Sequence, residues 1–195
     1  MSTTRLEAFS DGVIAILITI MVLDLKMPEG ATTWSAVLES GLIMRLLTYV
    51  LSFIMLGIYW NNHHHMLHVT TQVNGRVLWA NLHLLFWLSL VPFATSWVGT
   101  SRNETIPTAV YAFVFLASGQ AWDILARQII AMGANASALP VLQPNARKGL
   151  ISRLLYVAAI GAAFVDPRIA DFLILAVALM WLVPDRSIER QAAGN

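Results

Sequence analysis

Between Asp11 and Asp24 the chain runs for twelve residues without a charge, and the flanking residues from Phe9 to Lys26 bring the apolar segment to the length of a bilayer crossing. A helix needs roughly 20 predominantly apolar residues to span the hydrocarbon. The segment can do so only if its acidic ends find partners, because an unpaired charge inside a helix bundle is costly. At about 100° per residue, Arg5, Phe9, Gly12, Ile16, Thr19, Ile20 and Leu23 share one narrow stripe. Asp11 projects about 140° away from Ile16, toward whatever helices pack alongside. A polar partner for Asp11 is therefore expected on a neighbouring helix.

The rest of the chain supplies such neighbours. Of 195 residues, 57% are hydrophobic and only 12% charged, against about 25% charged in soluble domains, and the mean hydropathy is +0.67. These values describe an integral membrane protein. Six helices of about 20 residues would use most of the chain, so it reads as all-α and polytopic, one domain over residues 1–195. The helices are expected at about 5–26, 42–66, 77–100, 107–132, 146–165 and 167–183. A net charge of +1 without clustered Lys and Arg argues against nucleic acid. The absence of cysteine excludes disulfides, thiolate metal sites and a thiol nucleophile. No Ser-His-Asp order, phosphate loop or paired catalytic carboxylates converge on one site, so the chain does not read as an enzyme and no cofactor is expected. Glu7 and Asp11 precede the apolar run and no small-x-small site follows it, which speaks against a cleaved signal peptide.

Along the chain, Pro28 and Gly30 open a loop with a short helical start at Trp34. The second helix has an uncharged core from Leu46 to Asn62, and Tyr59 and Trp60 near its end suit an interfacial aromatic belt. Val77 to Ser101 holds 25 residues without Asp, Glu, Lys or Arg, interrupted by Pro92. That proline removes a backbone donor and predicts a kink, with Ser and Thr side chains satisfying freed groups. Pro107 is a favourable first-turn residue for the fourth helix, and Asp123 with Arg127 is spaced for an ion pair near its far end. Gly133 to Asn145, with Pro140 and Pro144, reads as a loop before a final helical hairpin turning at Asp166 and Pro167. With both termini in the cytoplasm, eight Lys and Arg lie on that side and four outside, as the positive-inside rule prefers.

The pattern Arg5-x-x-x-Phe9-Ser10-Asp11, followed by Gly12 and an Ile-, Leu- and Thr-rich helix, resembles the signature of the transmembrane protein 175 family of potassium channels in its prokaryotic single-repeat form. Trp60, then His63 and His64, Asn81 and Leu82, and Pro92, Phe93 and Thr95 carry the resemblance over residues 5 to 100. It implies a homotetramer of six-helix subunits in a prokaryotic plasma membrane, with the first helices around a central pore for K+ and possibly other monovalent cations. On periodicity alone, a stripe such as Ile16, Ile20 and Leu23 most often packs a bundle core. The resemblance turns it toward a pore axis, with Ile16, Thr19, Ile20 and Leu23 as the lining. Apolar rings of this kind gate by dewetting. Arg5, Phe9, Ser10 and Asp11 then form a structural polar network, and Trp60, His64 and Asn81 are candidates to extend it between helices. The alternative weighed beside the channel is a histidine-ligated haem or metal membrane protein, since His64 and His68 stand four apart on one helix face. On the bland reading of those histidines they sit in the polar interface, with His64 or His83 bridging the second and third helices.

Overall fold

A computed structural model describes residues 2–27, 32–68, 70, 72–101, 104–132 and 145–182. The regular structure among them is helical throughout. Helix α1 (Thr3–Ile20) continues into a tighter 3-10 turn at Met21–Asp24. A short α2 (Trp34–Glu39) begins at a Thr33 Oγ1 that accepts the Ala36 amide at 3.4 Å, and Gly41, at φ 77°, turns the chain into α3 (Leu42–His68). That left-handed backbone favours glycine, which has no Cβ to clash.

Helices α4 (Gly75–Ser89) and α5 (Val91–Thr100) are the two halves of the long uncharged segment, separated at Leu90. The break falls where Pro92 predicts it. The proline has no amide to donate back, and Ser89 Oγ turns to the Phe86 carbonyl at 2.7 Å while Thr95 Oγ1 takes that of Val91 at 2.7 Å. Helix α6 (Thr105–Ala131) starts two residues before Pro107. The final pair is α7 (Asn145–Ala163) and α8 (Pro167–Leu182), turning at Asp166, whose carboxylate caps the Arg168 amide at 2.9 Å. The loop expected between α6 and α7 falls outside the described residues, apart from Asn145.

Among the described residues, four stretches are long and apolar enough to cross a membrane: Thr3–Asp24, Leu42–His68, Gly75–Thr100 and Thr105–Ala131. The two helices of the last hairpin do not meet that measure: α8 has 16 residues, and α7 carries Arg147, Lys148 and Arg153. Helix α6 is the central post. It packs on α4, α5 and both arms of the hairpin, whereas α1 rests chiefly on α3, α4 and α5. The interior is filled by Leu56, Leu84, Leu88, Phe115 and Leu125, all fully buried. One side of α1 is thus left exposed among the described residues of the protomer.

Candidate functional site

The two sides of α1 differ sharply. Leu6, Ser10, Ile14 and Leu17, followed by Met21, are buried against the bundle. Arg5, Phe9, Gly12, Ile16, Thr19, Ile20 and Leu23 are all exposed in the protomer, with Ile16 at 62% and Leu23 at 66%. The stripe that periodicity picks out is therefore not the bundle core. Thr19 satisfies its own hydroxyl proton at the Ala15 carbonyl, 2.9 Å away, which leaves the oxygen's remaining acceptor capacity facing out.

Opposite the stripe, α1 is fastened by two ladder rungs and one buried chain. Trp60 Nε1 donates to Asp11 Oδ1 at 3.0 Å, and His64 Nδ1 lies 2.9 Å from Glu7 Oε1. Glu7 and Asp11 are four apart on α1, and so are Trp60 and His64 on α3. The antiparallel register this creates puts the start of α1 and the end of α3 on the same side of the bundle. The carboxylates and His64 bring their ligand atoms within 4.8 Å of one another, and one atom of each is already engaged in a rung.

Behind the rungs lies the buried chain. His63 Nε2 donates to Asn81 Oδ1 at 2.7 Å, Asn81 Nδ2 donates to Ser10 Oγ at 2.9 Å, and Ser10 Oγ–H closes on the Leu6 carbonyl at 2.9 Å. Ser10, His63 and Asn81 are each fully buried. Such a chain is stabilising only when each member is satisfied, since an unpaired polar group in a dry interior costs about 1–3 kcal/mol. In this chain of bonds, His63 Nδ1 has no partner among the described residues. A second chain joins α3, α5 and α6: Ser52 Oγ stands 2.7 Å from both Thr95 Oγ1 and Tyr111 OH.

These positions bear on each expected residue. Asp11, Trp60 and His64 lie in the two rungs on α1, and Ser10 and Asn81 in the buried chain behind them. Phe9 lies with Ile16 on the open stripe. Arg5 is exposed there too and makes no ion pair among the described residues, so it does not join the clasp. The histidine bridge between α3 and α4 is made by His63, not by His64 or His83. His64 reaches α1 instead, and His83 accepts from Trp87 Nε1 of its own helix at 2.9 Å. His68 stacks on His64 with ring centroids 6.2 Å apart, and His64 Nδ1 is taken by Glu7. Tyr59 turns inward to meet Trp122 edge-on at 6.2 Å and is not part of a belt.

Asp123 pairs with Arg153 across the α6–α7 contact in place of the expected Arg127 on its own helix. A cation held by a packed neighbouring helix is already positioned, whereas an intrahelical pair on an exposed face must order two side chains for a few tenths of a kcal/mol. From sequence, His63 stands only among the residues of the family resemblance and Glu7 only as a charge ahead of the apolar run, neither with a partner. Their signal is the spacing Glu7, Ser10, Asp11 set against Trp60, His63, His64, both i, i+3, i+4, which gathers each triplet on one helix face.

A family model described as "Endosomal/lysosomal potassium channel TMEM175" matches residues 5–92. A potassium channel from a Chryseobacterium species is 48% identical over 195 residues, the whole of both chains. The endosomal/lysosomal proton channel TMEM175 of Bos taurus is 32% identical over 165 residues, covering 76% of this chain and 33% of that protein. The crystal structure of a lysosomal potassium-selective channel TMEM175 homolog from Chamaesiphon minutus superposes with a TM-score of 0.78 at 25% identity, over 92% of this chain and 96% of the other.

Proposed function

The chain belongs to the TMEM175 family, a family of ion channels and not of enzymes, and from that premise we propose that it is a potassium-permeable cation channel whose α1 helices surround a shared axis. The observation that carries the reading is the open apolar stripe of α1 opposite a face fastened by polar groups. A helix so fastened is held at a fixed rotation, and a fixed rotation is what would keep Ile16, Ile20 and Leu23 turned toward an axis. One helix per subunit needs at least about four copies to enclose a pore, so the assembly is a homotetramer in the lipid bilayer.

In this mechanism Ile16, Ile20 and Leu23 form stacked apolar rings that exclude water when narrow. Spreading or rotating the helices rewets the passage and lets a partly hydrated cation through. Thr19 supplies the hydroxyl oxygen nearest the constriction and contributes to discrimination between K+ and Na+. The excess of Lys and Arg at one set of loops supports a plasma-membrane orientation with both termini in the cytoplasm. No observation favours the haem or metal reading over this one.

The test is Ile16→Asn in a reconstituted bilayer. An amide at the narrowest ring holds water, so the expected result is current with a reduced preference for K+ over Na+. Currents and selectivity equal to those of the parent protein would remove Ile16 from the gate.

A further inference from the structure

On the far side of α3 from α1, a cavity of about 260 Å³ opens between α3, α6, α7 and α8. Its walls include Tyr59, Trp122 and Trp181, and Arg127 and Arg153 also line it. Arg153 is neutralised by Asp123. Arg127 is exposed and has no ion pair among the described residues, which leaves the cavity with one uncompensated positive charge. Tyr156 lines the same space, is only 3% exposed, and its enclosed hydroxyl has no hydrogen-bond partner among the described residues. Its ring is held in place by stacking on Phe115 at 6.0 Å.

A guanidinium without an ion pair among the described residues and aromatic walls in one crevice suit an occupant that accepts hydrogen bonds, carries negative charge and has an apolar part. We propose that this cavity binds the headgroup of an acidic phospholipid, the phosphate accepting from Arg127 while the acyl chains pass out along the helices. Basic pockets between membrane helices suit such headgroups, and guanidinium is the side chain that matches a phosphate best. The cavity is walled on one side by the helix whose other side carries Trp60, His63 and His64, but the site stands whether or not the chain conducts.

Native mass spectrometry of the full-length protein in neutral detergent tests this, with dioleoyl phosphatidylglycerol, dioleoyl phosphatidylcholine and inorganic phosphate as separate probes. Phosphatidylglycerol should be retained at least about tenfold more tightly than phosphatidylcholine, a ratio one charge-assisted contact can supply. Arg127→Gln, at an exposed position, should remove most of that preference, and Tyr156→Phe, which loses only an enclosed hydroxyl, should leave it in place. Gly149→Phe should also abolish it, because a Cβ at Gly149 meets nothing within 4 Å and the ring can enter the cavity it lines. Equal retention of the two lipids would overturn the proposal. So would a preference that survives Arg127→Gln and Gly149→Phe, or displacement of the lipid by inorganic phosphate at low millimolar concentration.

Discussion

Two buried hydrogen-bonded chains of three side chains each run through the bundle, and they hold different things. Ser10, Asn81 and His63 fasten α1 to α3 and α4; Ser52, Thr95 and Tyr111 tie α3 to α5 and α6. In the first, an amide is the hub, with its oxygen and nitrogen committed in opposite directions, so the loss of one member leaves another with nothing to turn to. The second consists of hydroxyl rotors, each able to donate or accept. The difference separates a brittle joint at the helix proposed to line the pore from a tolerant joint inside the scaffold.

Removing the amide hub is the sharpest way to break that contrast. Asn81→Leu keeps the volume but leaves His63 Nε2–H unpaired, and the other ring nitrogen already lacks a partner, so a change of tautomer cannot rescue it. The expected loss is roughly 2–3 kcal/mol, the cost of a buried polar group left unsatisfied, read as a lowered midpoint of denaturant unfolding in detergent. A loss near zero would show that the chain holds nothing. Asp11→Ala acts on the outer rung. Asp11 is half-buried and accepts one bond from Trp60, so about 1.5 kcal/mol is expected, the lower range for a bond to a charged group. Because that rung sets the rotation of α1, the loss should appear as fewer assembled complexes on size-exclusion chromatography, with unitary conductance unchanged in those that form. A stable complex with altered permeation would instead place Asp11 in the ion path.

How much of this is legible in the sequence depends on the range of the interaction. The open stripe of α1 and the inward face of Asp11 follow from a 100° period, and the break before Pro92 follows from a missing amide. Both are properties of a few consecutive residues. The partners of Asp11 are not local: nothing within α1 points to Trp60, 49 residues away, and the family resemblance is what brought Trp60 and Asn81 forward. His63 was hidden by its neighbours, since a run of three histidines offers three faces of a helix and only the packing of α3 on α4 selects one. The Asp123 pair failed for the same reason. Spacing offered Arg127, and the α6–α7 contact supplied Arg153.

The smallest effect belongs to the scaffold, and it is the one that decides whether the two chains differ in kind. Tyr111→Phe removes one hydroxyl from the second chain and leaves its ring, packed edge-on to Phe115 at 5.0 Å, in place. Ser52 and Thr95 remain 2.7 Å apart and can pair with each other, and Thr95 also has the Val91 carbonyl within reach. Interhelical hydrogen bonds within membranes are worth about 0.6 kcal/mol on average, and the expected loss is of that order, with assembly and conductance both unchanged. A loss as large as that of Asn81→Leu would mean that hydroxyl rotors re-pair no better than an amide. Brittleness would then follow from depth in the bundle, and α1 would be held no differently from the helices behind it.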